Sequence, residues 1–196
     1  SPDAQLVIYL RGAATVLGEP GAQRLPAALL SGPTLAPPRF TVAPGSAFIS
    51  AVFRPSGVLH CFGVPADCLG AAPVPLDAVA GQGAAADLQD ALHHAASFRE
   101  RVRILEEFLL RRPGADAALP ALSFERLFLP VGTLAADVGL GVRQFERRFL
   151  AHHGVALRDY RRLARFAMAL SNLMCADRPP TLAQAALDAG YVDQAH

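Results

Sequence analysis

The feature that most limits how this 196-residue chain can fold is a short motif that occurs twice. Residues 134–140 read Leu-Ala-Ala-Asp-Val-Gly-Leu, and residues 185–191 read Ala-Ala-Leu-Asp-Ala-Gly-Tyr. The glycines of the two copies, Gly139 and Gly190, are 51 positions apart. A helical segment that recurs with its glycine in the same place indicates two copies of one supersecondary unit. We therefore predict a tandem structure in the last third of the chain.

The first copy has the residues of a helix-turn-helix. Two short helices joined by a tight turn need a small residue where they touch, a glycine of positive φ in the turn and an apolar residue after it. Ala135, Gly139 and Leu140 meet these needs. After the turn, Phe145 and Phe149 are i, i+4 neighbours, which predicts one buried aromatic face on the second helix.

The opposite face of that second helix is polar and basic. At 100° per residue, Arg143 and Arg147 lie opposite the phenylalanines, with Gln144 and Glu146 at their sides. The segment 142–165 has seven arginines against two acids, a local charge of +5, although the whole chain carries only +1. Arginine can form two hydrogen bonds to guanine in the major groove. A solvated helix face is the alternative, but the turn residues and the repeat favour a DNA recognition helix.

The front half has the composition of short strands separated by glycine and proline. Residues 5–10, 39–42 and 47–53 are rich in β-branched and aromatic side chains, which predicts an antiparallel sheet or a small barrel. Residues 58–63 are too short to assign to either type of structure. From about residue 85 the apolar period becomes helical.

Ser97 and Glu100 form a capping box at the start of a connecting helix, and Pro113 follows its end. A longer helix is predicted from Leu157 to Cys175, with an apolar stripe that includes Phe166 and Leu170. The predicted fold class is α+β. It comprises a β-rich domain at 1–84, a helical connector and linker at 85–121, and an all-α tandem helix-turn-helix domain at 122–196, truncated in its second recognition helix.

Residues 130–196 resemble the DNA-binding domain of the AraC/XylS family of bacterial transcription regulators, a resemblance that covers about a third of the chain. The matching positions are Leu134-Ala135, Gly139-Leu140, Arg147-Arg148-Phe149, Gly154, Tyr160, Arg165, Ala169, Ala186, Gly190-Tyr191 and Asp193-Gln194-Ala195-His196. The sequence departs from the family pattern at Gly141, where a serine cap is usual, and at Ala156-Leu157, where Ser-Pro is usual. Residues 53–57 and 62–63 are similar to a sensor-like domain that precedes this DNA-binding domain in many members.

The resemblance implies a role for each matching polar residue. The base-facing positions are Arg143, Glu146 and Arg147 with Gln144 beside them in the first recognition helix, and Gln194 and His196 in the second. Arg148 and Arg161, Arg162 or Arg165 are expected to contact phosphates or to form internal ion pairs, which position the protein without selecting a sequence. The implied partners are a double-stranded DNA operator and, for an activator, RNA polymerase.

The front half is expected to bind a small-molecule effector or to form a homodimer contact. Tyr9, Arg54 and His60 are polar residues inside apolar segments, which makes them candidate effector contacts, although a satisfied core or edge position is the alternative for each. The pairs His93-His94 and His152-His153 are expected on helix surfaces rather than as metal ligands, because no carboxylate or cysteine follows at i+4. No metal and no cofactor is predicted.

Several functions are not expected from the sequence. No apolar run approaches the roughly 18 residues that a membrane span needs, and three cysteines without paired spacing favour a reducing, cytoplasmic location. No nucleophile elbow, phosphate-binding glycine loop or H-E-x-x-H motif indicates an enzyme. We predict a sequence-specific DNA-binding transcription regulator. The alternative is a ligand-binding or dimerisation protein whose helix-turn-helix domain no longer binds DNA.

Overall fold

A computed structural model describes residues 3–18, 21–36, 38–70, 72–112, 119, 122–175 and 180–191. Strands dominate the front of the described chain and helices the rest, so the predicted α+β class is confirmed. The strands are β1 (Gln5–Arg11), β2 (Ala14–Gly18), β3 (Gly21–Arg24), β4 (Ala28–Ser31), β5 (Arg39–Val42), β6 (Ala47–Val52) and β7 (Val74–Pro75). The helices are α1 (Gly57–Phe62), α2 (Leu76–Ala80), α3 (Gln82–His94), α4 (Phe98–Leu110), α5 (Phe124–Leu127), α6 (Val131–Asp137), α7 (Val142–His153), α8 (Leu157–Cys175) and α9 (Leu182–Asp188), with a 3-10 helix at Ala66–Leu69.

The described strands form two antiparallel sheets. One has the order β6-β1-β4-β7, and the other has the order β3-β2-β5. In the larger sheet, β1 pairs on both sides, with Ile8 opposite Ala28 of β4 and opposite Ile49 of β6. Side chains alternate between the two faces of a strand, and Leu6 and Ile8 share the fully buried face of β1. The antiparallel character predicted for the front half is therefore observed.

Helices cover the buried face of the larger sheet. Leu88 and Leu92 of α3 and Leu105 of α4 belong to the same apolar cluster as Leu6 and Ile8. The sequence-based division between residues 84 and 85 consequently falls inside α3. The connecting helix α4 packs as part of the core of the front half.

The start of α4 has the predicted Ser97 cap, and Glu100 reaches back to the residue before that cap rather than to the cap itself. The Ser97 hydroxyl accepts a hydrogen bond from the Glu100 N–H at 3.2 Å, and the Glu100 carboxylate accepts one from the Ala96 N–H at 2.8 Å. The first bond satisfies a backbone donor that a helix N-terminus leaves without a partner, and the second ties the residue before the cap to the first turn. The segment 58–63, which the sequence left unassigned, lies in α1.

The helices after residue 122 pack around a second apolar core. Its buried members are Leu127, Leu134, Ala135, Phe145, Phe149 and Leu157. The helix α8 has the predicted bounds, but its apolar stripe is only partly covered, since Phe166 and Leu170 are exposed. Within the described ranges, no helix combines the length and the apolar character that a membrane crossing requires.

Candidate nucleic-acid interface

The helices α6 and α7 are joined by the tight turn that the sequence predicts. Gly139 has a φ of 67°, a left-handed conformation that glycine adopts without steric cost. The Leu140 N–H donates to the Ala135 carbonyl at 2.9 Å, and the Gly139 N–H donates to the Ala136 carbonyl at 3.0 Å. Ala135 itself is buried between the two helices' side chains. A side chain larger than alanine at this position would separate the helices.

The second copy of the motif repeats this turn. Gly190 has a φ of 79°. The Tyr191 N–H donates to the Ala186 carbonyl and the Gly190 N–H to the Leu187 carbonyl, each at 2.9 Å. These are the hydrogen bonds of the first turn moved by 51 positions, and α9 is α6 moved by the same interval. The structural repeat is therefore present up to the second turn.

The inner face of α7 is aromatic and fully packed. Phe145 and Phe149 are 1% and 0% exposed, and they lie in one core with Leu134 and Ala135 of α6. Their ring centroids are 5.9 Å apart. The residue before α7, Gly141, has extended backbone and no capping side chain. The position of α7 thus depends on side-chain packing more than on its N-terminal cap.

The outer face of α7 carries the predicted base-facing residues. Arg143, Gln144, Glu146, Arg147 and Arg148 are all exposed. In the part of the chain that the structure describes, none of the three arginines has a side-chain hydrogen bond or an ion pair. Their guanidinium groups are therefore available to an external anion or base edge. The predicted contacts Gln194 and His196 lie outside the described residues.

The arginines of α8 have internal partners. Arg161 donates to the carbonyls of Leu127 and Leu129 at 2.7 and 2.6 Å, which satisfies acceptors at the end of α5. Arg165 lies over the Phe128 ring at 4.6 Å, and the Arg162 guanidinium is 3.5 Å from the Asp159 carboxylate. These residues are candidates for phosphate contacts or for internal pairing. Their contacts fit internal pairing.

The last turn of α7 is buried, contrary to the surface position expected for His152 and His153. These histidines are only 5% and 8% exposed, because α7 packs against α1 and the 3-10 helix of the front half. His153 stacks on the Phe149 ring with centroids 3.8 Å apart. Burial lowers the pKa of His153 to about 4, against the opposing hydrogen bond to the Phe149 carbonyl. Burial and the nearby Arg148 charge lower the pKa of His152.

A residue that the sequence did not single out, Ser56, joins the two halves. Its hydroxyl is hydrogen-bonded to His152 Nδ1 at 2.6 Å, and its N–H donates to the His152 carbonyl at 3.0 Å. No local pattern indicates this contact, since the partners are 96 positions apart. The helical period does indicate the histidines, because His152 lies seven residues after Phe145 and His153 lies four after Phe149.

The three candidate effector contacts do not line one cavity among the described residues. Tyr9 is buried in a small cluster with Ala14 and Leu29, and burial raises its pKa. Arg54 lines a cavity of about 10 Å³ beside Ser56. His60 is exposed on α1. No group of three His, Cys, Asp or Glu side chains suited to a metal ion occurs within the described ranges.

Comparisons with known proteins give no relative. No family model, no curated protein and no solved structure matches this chain.

Proposed function

We propose that this protein is a sequence-specific DNA-binding transcription regulator and that α7 is its recognition helix. The observation that carries the proposal is the outer face of α7, where Arg143 and Arg147 are exposed and have no partner in the described chain. The buried Phe145 and Phe149 fix the opposite face. A helix mounted in this way can enter the major groove with its arginines directed at base edges. The resemblance to the AraC/XylS family supports the same function.

The residues of the outer face divide into two roles. Arg143 and Arg147 contact base edges, with Gln144 and Glu146 beside them, because the helical period places this group opposite the buried face. Arg148 contacts the phosphate backbone. Phosphate contacts set affinity and its salt dependence, whereas base contacts set sequence preference.

The front half supplies control in this proposal. It binds a small-molecule effector or a second copy of the chain, and either event shifts the population of DNA-binding conformations. The packing of α7 against α1 and the 3-10 helix provides the physical connection that such control requires. An activator of this kind also contacts RNA polymerase, and the protein acts in the bacterial cytoplasm.

In the first step of the test, the full chain selects duplexes from a pool of randomised DNA of about 30 base pairs. The enriched duplex is then titrated by fluorescence anisotropy with the wild type, Arg147→Ala and Arg99→Ala. Arg99 is the matched control, since it is an exposed arginine on a different helix, α4. We expect Arg147→Ala to lose about 1–3 kcal/mol, roughly 5- to 150-fold in Kd, and to relax one base position. Arg99→Ala changes Kd by less than about twofold, as expected for a surface substitution.

Two results would contradict the proposal. One is a pool in which no sequence becomes enriched, which would support the alternative of a ligand-binding or dimerisation protein with an inactive helix-turn-helix. The other is equal affinity and equal selectivity for the wild type and Arg147→Ala. A further measurement separates the roles, because Arg148→Ala should reduce the slope of log K against log salt by about 1 without changing the preferred sequence.

A further inference from the structure

The junction between the two halves contains a buried serine whose side chain does not serve its own helix. Ser56 precedes α1 and has a φ of 72°, the one positive φ at a non-glycine position among the described residues. A serine before a helix usually has extended backbone and accepts a hydrogen bond from the first turn. The Ser56 side chain makes no such bond. The left-handed backbone of Ser56 belongs to the β-turn of residues 54–57, in which the Gly57 N–H donates to the Arg54 carbonyl at 2.8 Å and the third position takes a positive φ.

Two hydrogen bonds join Ser56 to α7. The hydroxyl bonds to His152 Nδ1 at 2.6 Å, and the backbone N–H donates to the His152 carbonyl at 3.0 Å. Both residues are buried, at 9% and 5% exposed. Buried hydrogen bonds are costly to leave unmade. Ser56 therefore holds the last turn of α7 through its side chain and its backbone together.

The surrounding contacts are close. A Cβ atom at Gly154 would lie 2.9 Å from the Pro33 ring and 3.0 Å from the Ala66 carbonyl oxygen, both in the front half. The cavity beside Ser56 has a volume of about 10 Å³, which is room for about one water. No ligand-sized space separates the halves at this point. A signal that reaches α7 here must therefore travel through protein contacts.

We propose that Ser56 and His152 form a latch through which the front half positions the recognition helix. In the closed latch, which is the arrangement in the structure, both hydrogen bonds between Ser56 and His152 are formed. In the open latch, the contact between Ser56 and His152 is broken and His152 is released. Opening loses these two hydrogen bonds, while the backbone turn of residues 54–57 is kept in both positions. An effector or partner that moves the segment before α1 changes their ratio.

The closed latch is the state that binds DNA more tightly. In it, Arg143 and Arg147 stay exposed, so the latch orients the recognition helix and does not cover it. Opening frees the last turn of α7, and DNA binding must then restore its order. This inference rests on the proposed DNA-binding function. Linkage requires a reciprocal effect, because DNA must stabilise the closed latch by the factor that the latch adds to DNA affinity.

The test uses the full chain and the duplex selected from the randomised pool. Ser56→Gly keeps the left-handed backbone and the N–H donor but deletes the hydroxyl. Ser97→Gly is the matched control, since it deletes a hydroxyl that caps α4 through the Glu100 N–H. We expect Ser56→Gly to weaken binding at least about fivefold, the lower end of common coupling factors, and Ser97→Gly to stay within twofold. Ser56→Asn should recover part of the affinity, since asparagine tolerates left-handed backbone and offers His152 a hydrogen-bond partner.

Hydrogen exchange gives a readout that a purely structural role would not move. The amide of residue 56 is hydrogen-bonded to the His152 carbonyl, so its exchange rate reports opening of the latch. The selected duplex should slow this exchange in the wild type by the factor that Ser56→Gly loses in affinity. Unchanged affinity for Ser56→Gly, or a loss that Ser97→Gly shares, would overturn the latch. Tighter binding by Ser56→Gly would overturn it as well, since the contact would then be inhibitory.

The latch can be judged even where no duplex is selected and the DNA-binding proposal fails. Urea unfolding of the wild type, Ser56→Gly, His152→Ala and the double variant forms a double-mutant cycle. A latch predicts strong non-additivity, because Ser56→Gly should have little further effect once His152 is gone. Additive effects would show that the two side chains act independently, whatever the DNA experiment gives.

Discussion

Substitution of Gly154 by alanine tests how the recognition helix is mounted on the front half. Gly154 follows α7 with a φ of 75°, and its N–H donates to the Leu150 carbonyl at 2.7 Å. Two costs are expected from an added methyl group. Left-handed backbone costs a residue with a Cβ atom about 1–2 kcal/mol. The Cβ would also lie 2.9 Å from the rigid Pro33 ring and 3.0 Å from the Ala66 carbonyl oxygen, and overpacking of this kind typically costs about 1–3 kcal/mol.

Gly139→Ala is the matched control for this prediction. Gly139 also follows a helix of the same unit and has a φ of 67°, but no atom lies within 4 Å of its ideal Cβ position. It should therefore carry the backbone cost alone, about 1–2 kcal/mol. Gly154→Ala should lose about 2–5 kcal/mol in total, so the difference between the two variants isolates the contact with Pro33 and Ala66.

The assay is the free energy of unfolding in urea, followed by circular dichroism, with thermal unfolding as a second measurement. Each additional kcal/mol should lower Tm by about 2–4 °C for a chain of this size. Equal losses for the two variants would refute the reasoning, because the Cβ of residue 154 would then meet no obstruction. In that case the last turn of α7 would not lie against Pro33, and the geometry of the latch would fail with it.

Three further predictions concern the second core. Phe149→Ala should cost about 3–5 kcal/mol in urea unfolding, since the ring is 0% exposed, whereas Phe166→Ala on exposed α8 surface should cost less than about 1 kcal/mol. Arg161→Ala should destabilise the protein by about 1 kcal/mol because the carbonyl of buried Leu127 loses its donor, while the carbonyl of exposed Leu129 can bond to water. A loss confined to DNA affinity would contradict that role. Burial holds the pKa of His153 at about 4, below the unfolded value near 6.5. Protonation therefore favours the unfolded chain, and the free energy of unfolding is highest above pH 6.5. About 3 kcal/mol of it should be lost as the pH falls from 6.5 towards 4. Stability measured against pH should show that decline in the wild type and a shallower one in His153→Phe.

The parts of the fold that the sequence predicted are those encoded locally. The turns at Gly139 and Gly190, the cap at Ser97 and the bounds of α8 each depend on residues within one or two helical turns. Strands β1, β5 and β6 carry enough β-branched and aromatic residues to be recognised singly. For such elements, propensity and period are sufficient evidence.

The remaining elements depend on partners that are distant in sequence. β3 and β7 are short and have weak strand composition, and each exists because a neighbouring strand supplies its hydrogen bonds. The domain boundary predicted at residue 84 lies inside α3, which packs on β1. A change from strand period to helical period does not mark where a hydrophobic core ends. The contact between Ser56 and His152 has no local signal at either residue.

His152 and His153 show why an amphipathic helix can join two cores. The helical period places both on the face of Phe145 and Phe149, whereas the lack of a metal-ligand partner at i+4 predicts only that they bind no metal and does not by itself predict exposure. A neutral imidazole is a flat aromatic ring whose faces can pack against other rings. It can therefore continue an aromatic stripe, as the stack of His153 on Phe149 demonstrates. The first turns of that stripe pack within the helix-turn-helix unit, and its last turn packs against α1 and the 3-10 helix. The free energy that holds α7 is thus divided between the two halves of the chain, which is the condition under which a change in one half can alter the helix of the other.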